Sequence, residues 1–306
     1  MKSITTAPFL AVLASALLGG VQSHAATLAT PYSMLVTIAE NPGQFNSTLS
    51  GTNVQTFDNL LGVRNNVVWD GVGTFDHLNV IRANAYGGAP GATSPNGSAY
   101  AVEGLGSVTK TTLKLDHSSS FFGLFWSAGD AKNDLKFYDK GDLVANFTTA
   151  NLMSLLPRSY YGNPITTGPN AGKNSGEPYA FINFLGGENT AWDEIVFSNN
   201  GSSGFEADNY TTRVEGWYPG TDGTLPGKAV ISLETKNGVQ TVSKVTSATT
   251  VGNKLSLNLV NSKTGLSSLL EFAPSAPGAP APPLPAVVAF ISVIALKGFR
   301  RKKAAA

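Results

Sequence analysis

Apolar and polar residues alternate with a period of two along much of this chain, and no long stretch repeats at the 3.6-residue period of a helix. The pattern predicts short β-strands punctuated by Gly, Asn and Asp. From Thr109 to Leu115, Leu113 and Leu115 share one face while Lys110, Thr112 and Lys114 take the other. Phe121 to Trp126 is almost continuously apolar, as a strand buried on both faces would be. Leu135 and Phe137 alternate with Lys136 and Tyr138, and Asp139-Lys140-Gly141-Asp142 turns the chain into Leu143 to Phe147, a predicted hairpin. Tyr179 to Phe184, Glu194 to Ser198 and Phe205 to Thr212 continue the series, which points to an antiparallel β-sandwich or jelly roll. Ala150 to Leu156 is the one predicted short helix. Ser159 to Pro178 is a long loop of a kind often given to function.

After Trp217-Tyr218-Pro219-Gly220 the texture becomes poor in aromatics. Ile231 to Val245 reads as a hairpin turned at Lys236-Asn237-Gly238, and Leu255 to Val260 as a further strand. These residues form either a small β module or an added sheet layer, and the Pro- and Gly-bearing linker favours the module. The chain thus divides into 1–25, 26–216, 217–273, 274–285 and 286–303.

The first and last of these segments read as addresses. Lys2, the apolar run Pro8 to Leu18 and Ser23-His24-Ala25 have the three parts of a secretory signal peptide. At the other end, a Pro-rich linker (274–285) leads into the apolar run Ala286 to Leu296 and then a basic cluster. That run is shorter than the ~20 residues of a comfortable transmembrane helix. Arg300, Arg301, Lys302 and Lys303 would stay on the cytoplasmic side and leave the body outside.

Composition narrows the classes. The chain has no cysteine, so an exported body must rely on burial rather than disulfides. Five of its 21 cations lie in the tail (Lys297, Arg300, Arg301, Lys302, Lys303), which leaves the body mildly acidic and argues against a nucleic-acid partner. No nucleophile elbow, His-Glu-x-x-His helix or phosphate loop is present, and His77 and His117 are the histidines outside the signal.

The tail resembles the PEP-CTERM class of bacterial sorting signals. Pro282-Pro283-Leu284-Pro285-Ala286 is similar to its Pro-Leu-Pro-Ala variant and departs from the usual Val-Pro-Glu-Pro. The body resembles exosortase-dependent surface proteins through Phe122-Gly-Leu-Phe-Trp-Ser-Ala-Gly-Asp130, Asn133 to Tyr138, Tyr179 to Phe184 and Phe205-Glu-Ala-Asp-Asn209, with Ala128 and Lys132 as departures. The resemblance implies passage through the Sec translocon, transient membrane anchoring and handling by an exosortase. It implies no reaction.

Two constellations carry the candidate chemistry. Glu206 and Asp208 would share one face of a strand, with Asn209 next in sequence and Asp58 of Phe57-Asp58-Asn59 as a first-strand partner. Paired carboxylates of this kind suit structural Ca²⁺; the alternative is that they cap loop amides. Trp126, Asp130 and Asn133 lie at a strand corner and, with Tyr160, Tyr161 and Trp192, supply the residue types of a glycan-binding surface. Asx turns holding the corner are the structural alternative. The resulting expectation is a non-enzymatic surface or matrix protein associated with exopolysaccharide. Its rivals are a purely structural envelope protein and a secreted glycan-active hydrolase.

Overall fold

The computed structural model describes residues 31–90, 97–104, 108–201, 203–213, 217, 222, 224–252 and 254–272. The signal peptide and the whole sorting tail lie outside the described residues. The protein is all-β. Its strands are β1 (Tyr32–Ile38), β2 (Asn53–Gln55), β3 (Gly62–Trp69), β4 (Gly73–Ile81), β5 (Tyr100–Glu103), β6 (Lys110–Ser119), β7 (Phe121–Ser127) and β8 (Asn133–Asp139). They continue with β9 (Asp142–Thr148), β10 (Ala180–Gly186), β11 (Trp192–Asn199), β12 (Phe205–Arg213), β13 (Lys228–Lys236), β14 (Val239–Val251), β15 (Lys254–Asn261) and β16 (Ser267–Phe272). One turn of helix, α1 (Ala150–Met153), and a 3-10 turn at Arg158–Tyr160 interrupt them. Among the described residues, no helix is long and apolar enough to cross a membrane.

All the paired strands run antiparallel in one sheet, ordered β16-β15-β14-β13-β1-β10-β7-β12-β5-β4-β6-β11-β8-β9, with β2 on β12 and β3 on β4. The sheet folds over itself. Phe137 of β8 and Phe147 of β9 each lie 5.0 Å from Phe184 of β10, and Phe197 of β11 stacks 4.8 Å from Tyr210 of β12. These strand pairs are not neighbours in the sheet, so the rings meet across the interior of a sandwich-like body. The alternation predicted for β6, β8 and β9 supplies one wall of this core, and β7 and β10 the other. Folding the sheet brings its last strand, β9, back against β13 and β1. There Gln240 stands in for a strand: its Oε1 accepts the Asn146 N–H at 2.6 Å and its Nε2 donates to the Asn146 carbonyl at 2.7 Å.

Turn chemistry follows the sequence. Lys140 and Gly141 (φ 50° and 89°), like Asn237 and Gly238 (φ 52° and 72°), supply the two left-handed residues of a tight hairpin. β13 to β16 extend the sheet, because β13 pairs with β1 from Tyr32↔Thr235 to Ile38↔Lys228. Leu255, Leu257, Leu259 and Phe272 then pack with Leu35, Phe121, Leu185 and Trp217 in a second apolar cluster. The alternation assigned to the body had left β1, β3 and β4 unassigned. β1 is nearly all buried between two neighbours, and the exposed first half of β3 hides its period.

One irregularity decides which side chains of β12 reach the core. Against β7 the register passes from Asp208↔Phe125 to Thr211↔Gly123, so β12 carries one extra residue, with Asn209 at φ 49°. Phe205, Ala207 and, beyond the bulge, Tyr210 enter the core, while Glu206 and Asp208 face the other way.

Candidate functional site

On the side of β10, β7, β12 and β5 that faces away from the core, β15 and β16 pack on Phe121 and Leu185, and loops cover the stretch that carries Phe125, Phe181 and Asp208. Phe45 from the loop after β1 packs edge-on to Phe125 at 4.9 Å. The 82–90 segment crosses Tyr100 and Tyr179, and the long loop predicted from Ser159 to Pro178 lies beside it, tied to Tyr161 by a bridge at Pro178. Beneath these loops is a layer of polar groups.

Asp208 is fully buried and well provided for. Its Oδ2 accepts the Ala89 N–H at 2.8 Å and the Ser98 hydroxyl at 3.0 Å, and its Oδ1 accepts the Asn209 N–H at 2.7 Å. Burial nevertheless pushes its carboxyl up to about 7 against those donors. Asn209 donates to the Phe45 carbonyl and to Asn46 Oδ1. Asp58 lies off any strand, just after Phe57 at φ 58°, and its Oδ1 accepts the Ala99 N–H at 3.3 Å. It borders an open, polar cavity of about 370 Å³ with Asn59, Arg82 and Ser98. Glu206 accepts its own backbone N–H, and burial, with the charges of Asp130 and Glu177 adding to it, pushes its carboxyl up to about 8. The four residues singled out for calcium therefore do not converge. Asp208 caps loop amides, and no group of three or more His, Asp or Glu among the described residues is placed to hold a metal ion.

The expected glycan surface needs correction as well. Trp126 and Trp192 are completely buried, and Tyr160 nearly so, because the strands carrying the tryptophans turn them into the core. Asn133 serves Trp126: turned so that both its amide groups are satisfied, its oxygen accepts the indole N–H at 2.8 Å. Tyr160 donates its hydroxyl to the Ala39 carbonyl, and Tyr161 donates to the Met153 carbonyl at 3.2 Å with Arg158 over its ring at 4.9 Å. Asp130 holds the corner as an Asx turn, accepting the Lys132 N–H at 2.6 Å and the Ser203 hydroxyl. Rings packed in this way present no face to a sugar.

The exposed aromatic ring on this side is Tyr86, 50% exposed. Its backbone is firmly held. The Tyr86 N–H donates to Asn84 Oδ1 at 2.8 Å, and that oxygen also accepts the Tyr100 hydroxyl at 2.7 Å. The next carbonyl back, Ala85, accepts the Tyr179 hydroxyl at 2.9 Å and the Asn174 amide. Gly87 lies flat on the Tyr100 ring, where a Cβ would fall 2.5 Å from it. Burial pushes the Tyr100 and Tyr179 hydroxyls up, and the charge of Glu206 adds to the rise. Neither Tyr86 nor Glu177 was picked out from the sequence. The signal was available in Asn84-Ala85-Tyr86-Gly87-Gly88, an aromatic among turn formers with no strand alternation to bury it.

The face is thus a polar layer under loops, with the Tyr86 ring standing exposed at its edge. No family model, curated protein or solved structure matches the chain.

Proposed function

We propose that the chain is a non-enzymatic surface or matrix protein, exported through the Sec system, sorted by its C-terminal tail and associated with exopolysaccharide. The observation that carries this reading is the order of segments in the sequence: an export signal, a disulfide-free β-rich body and a Pro-Leu-Pro-Ala tail ending in Arg300-Arg301-Lys302-Lys303. The finer fold assignment that goes with it is a jelly-roll sandwich. Association with glycan is supported by Tyr86, whose held ring is the kind of platform on which a sugar face stacks, and by the amides and carboxylates around it.

Fractionation of cells with and without an exosortase tests the sorting half. The protein is expected in the envelope or matrix only when the enzyme is present, and replacing Pro282 to Ala286 should abolish the difference. An unchanged distribution overturns it. Co-sedimentation of the purified protein with extracted exopolysaccharide tests the other half. No retention leaves the purely structural envelope protein, and shortening of the polymer makes the chain a hydrolase.

A further inference from the structure

The end strands of the sheet are not treated alike. β9 is closed by Gln240, β2 is three residues long, and β3 carries Arg64 and Asn65, with Asn66 at φ 52°. Covered, short, charged or irregular edges of this kind discourage pairing with another chain. β16 differs. Ser267-Ser-Leu-Leu-Glu-Phe272 has neither Lys nor Pro, it pairs with β15 without a register shift, and no described residue pairs with its outer edge. Its one charge, Glu271, is matched by Lys254 of β15 at 3.3 Å. Leu266 is 71% exposed and Leu269 63%.

The inner pairing fixes which backbone groups are free. The Asn261 N–H donates to the Leu266 carbonyl at 2.9 Å, so along this antiparallel ladder Ser268, Leu270 and Phe272 exchange hydrogen bonds with β15. Ser267, Leu269 and Glu271 therefore aim N–H and C=O outward. A second copy of the strand matches them. With a two-fold axis through Leu269, that residue faces its own equivalent and Ser267 faces the partner's Glu271, so each outward donor meets an outward acceptor. In this register the two exposed Leu269 side chains cover each other. Leu266 falls opposite the partner's Phe272, which carries the second apolar cluster across the axis. No like charges stand opposite, whereas an axis through Glu271 would set two carboxylates face to face. The sequence after Phe272 suits the edge poorly, because prolines at 274, 277, 280, 282, 283 and 285 lack the N–H groups a ladder needs. We propose that β16 is a self-association edge, through which two copies of the chain pair antiparallel over residues 267–271 and join their sheets. The inference goes beyond the sorting and glycan readings and does not depend on them.

The lack of native cysteine makes the register testable in the full-length protein. Opposed residues of a hydrogen-bonded antiparallel pair lie about 5.5 Å apart at Cα, within the span of a disulfide. Leu269→Cys is expected to give a covalent dimer on mild oxidation. Glu271→Cys alone should give none, yet mixed with Ser267→Cys it should give a dimer of the two variants. Positions 267, 269 and 271 are exposed, so these substitutions leave the core untouched. Sedimentation over a concentration series reads the affinity. Leu269→Lys should weaken the dimer at least roughly tenfold, about 1.4 kcal/mol. Val239→Lys, at the equally exposed tip of the β13–β14 hairpin, should change nothing. Equal cross-linking of Leu269→Cys and Glu271→Cys overturns the register, and a dimer indifferent to Leu269→Lys overturns the edge. A protein that stays monomeric at every concentration and does not cross-link overturns the proposal outright.

Discussion

The two sides of β12 live under different rules. On one, Phe205, Ala207 and Tyr210 enter a core of interlocking rings in which Phe57 meets Tyr210 edge-on at 4.9 Å. On the other, Glu206 and Asp208 lie under loops, kept from water yet charged or chargeable. The inner side gains its stability from shape and area, which any aliphatic or aromatic residue of the right size provides. The outer side depends on particular donors arriving from distant sequence, 119 residues away for Ala89 and 110 for Ser98. Apolar packing and polar satisfaction are thus separated across the thickness of a single strand.

The largest expected effect is on the inner side. Trp126→Ala empties the centre of the core and leaves Asn133 facing the cavity, so a loss of about 3–5 kcal/mol is expected in urea denaturation. A loss under about 1 kcal/mol would mean that the ring is not packed there. Next comes Asp208→Ala, which strips acceptors from Ala89, Ser98 and Asn209 and should cost roughly 2 kcal/mol while loosening the 82–90 loop. Faster amide exchange at Ala89 than in wild type checks that the effect is local.

Titration reaches both sides of the strand. Burial pushes Glu103 up to about 8 despite the hydrogen bond from Tyr210, and burial together with the Asp130 and Glu177 charges pushes Glu206 up to about 8. Raised carboxyl groups bind a proton in the native state that the unfolded chain has already lost. Their contribution to stability is therefore fully present below about pH 4.5 and disappears as pH rises toward 8, at up to about 1.4 kcal/mol per pH unit for each group. Thermal melts from pH 5 to 8 should show the melting temperature falling, with a shallower fall for Glu103→Gln. An unchanged slope in that variant would exclude Glu103 as a source. The smallest effect belongs to the seam where the folded sheet closes. Gln240→Ala removes the two bonds to Asn146 and should cost about 1 kcal/mol, while Gln240→Glu keeps one acceptor but loses the donor.

How far the sequence is legible follows the same division. Period-two alternation located β6 and β8 to β12, because one wet and one dry face impose it. A continuous apolar run marked β7 as buried on both faces, and turn residues marked Asn237-Gly238. The tryptophans show where it stops. Trp126 and Trp192 have the residue type of a sugar platform, but type alone does not say which face of a strand a ring takes when both faces are covered. Tyr86 was passed over because its exposure depends on Tyr100, Tyr179 and Asn174, none of them near it in sequence except through the fold. Glu206 and Asp208 were seen as a pair; the bulge and the loops send them to different neighbours.

Asn209 is where the sequence of β12 changes phase. Flatten the bulge with every residue kept and the letters after it stay the same while their meanings are exchanged: Tyr210 would be read into the loops and Thr211 into the ring-filled interior. For side chains this is a frameshift, confined to protein rather than nucleic acid. The strand accordingly accepts changes of spelling on either side far more readily than a slip of register past this point.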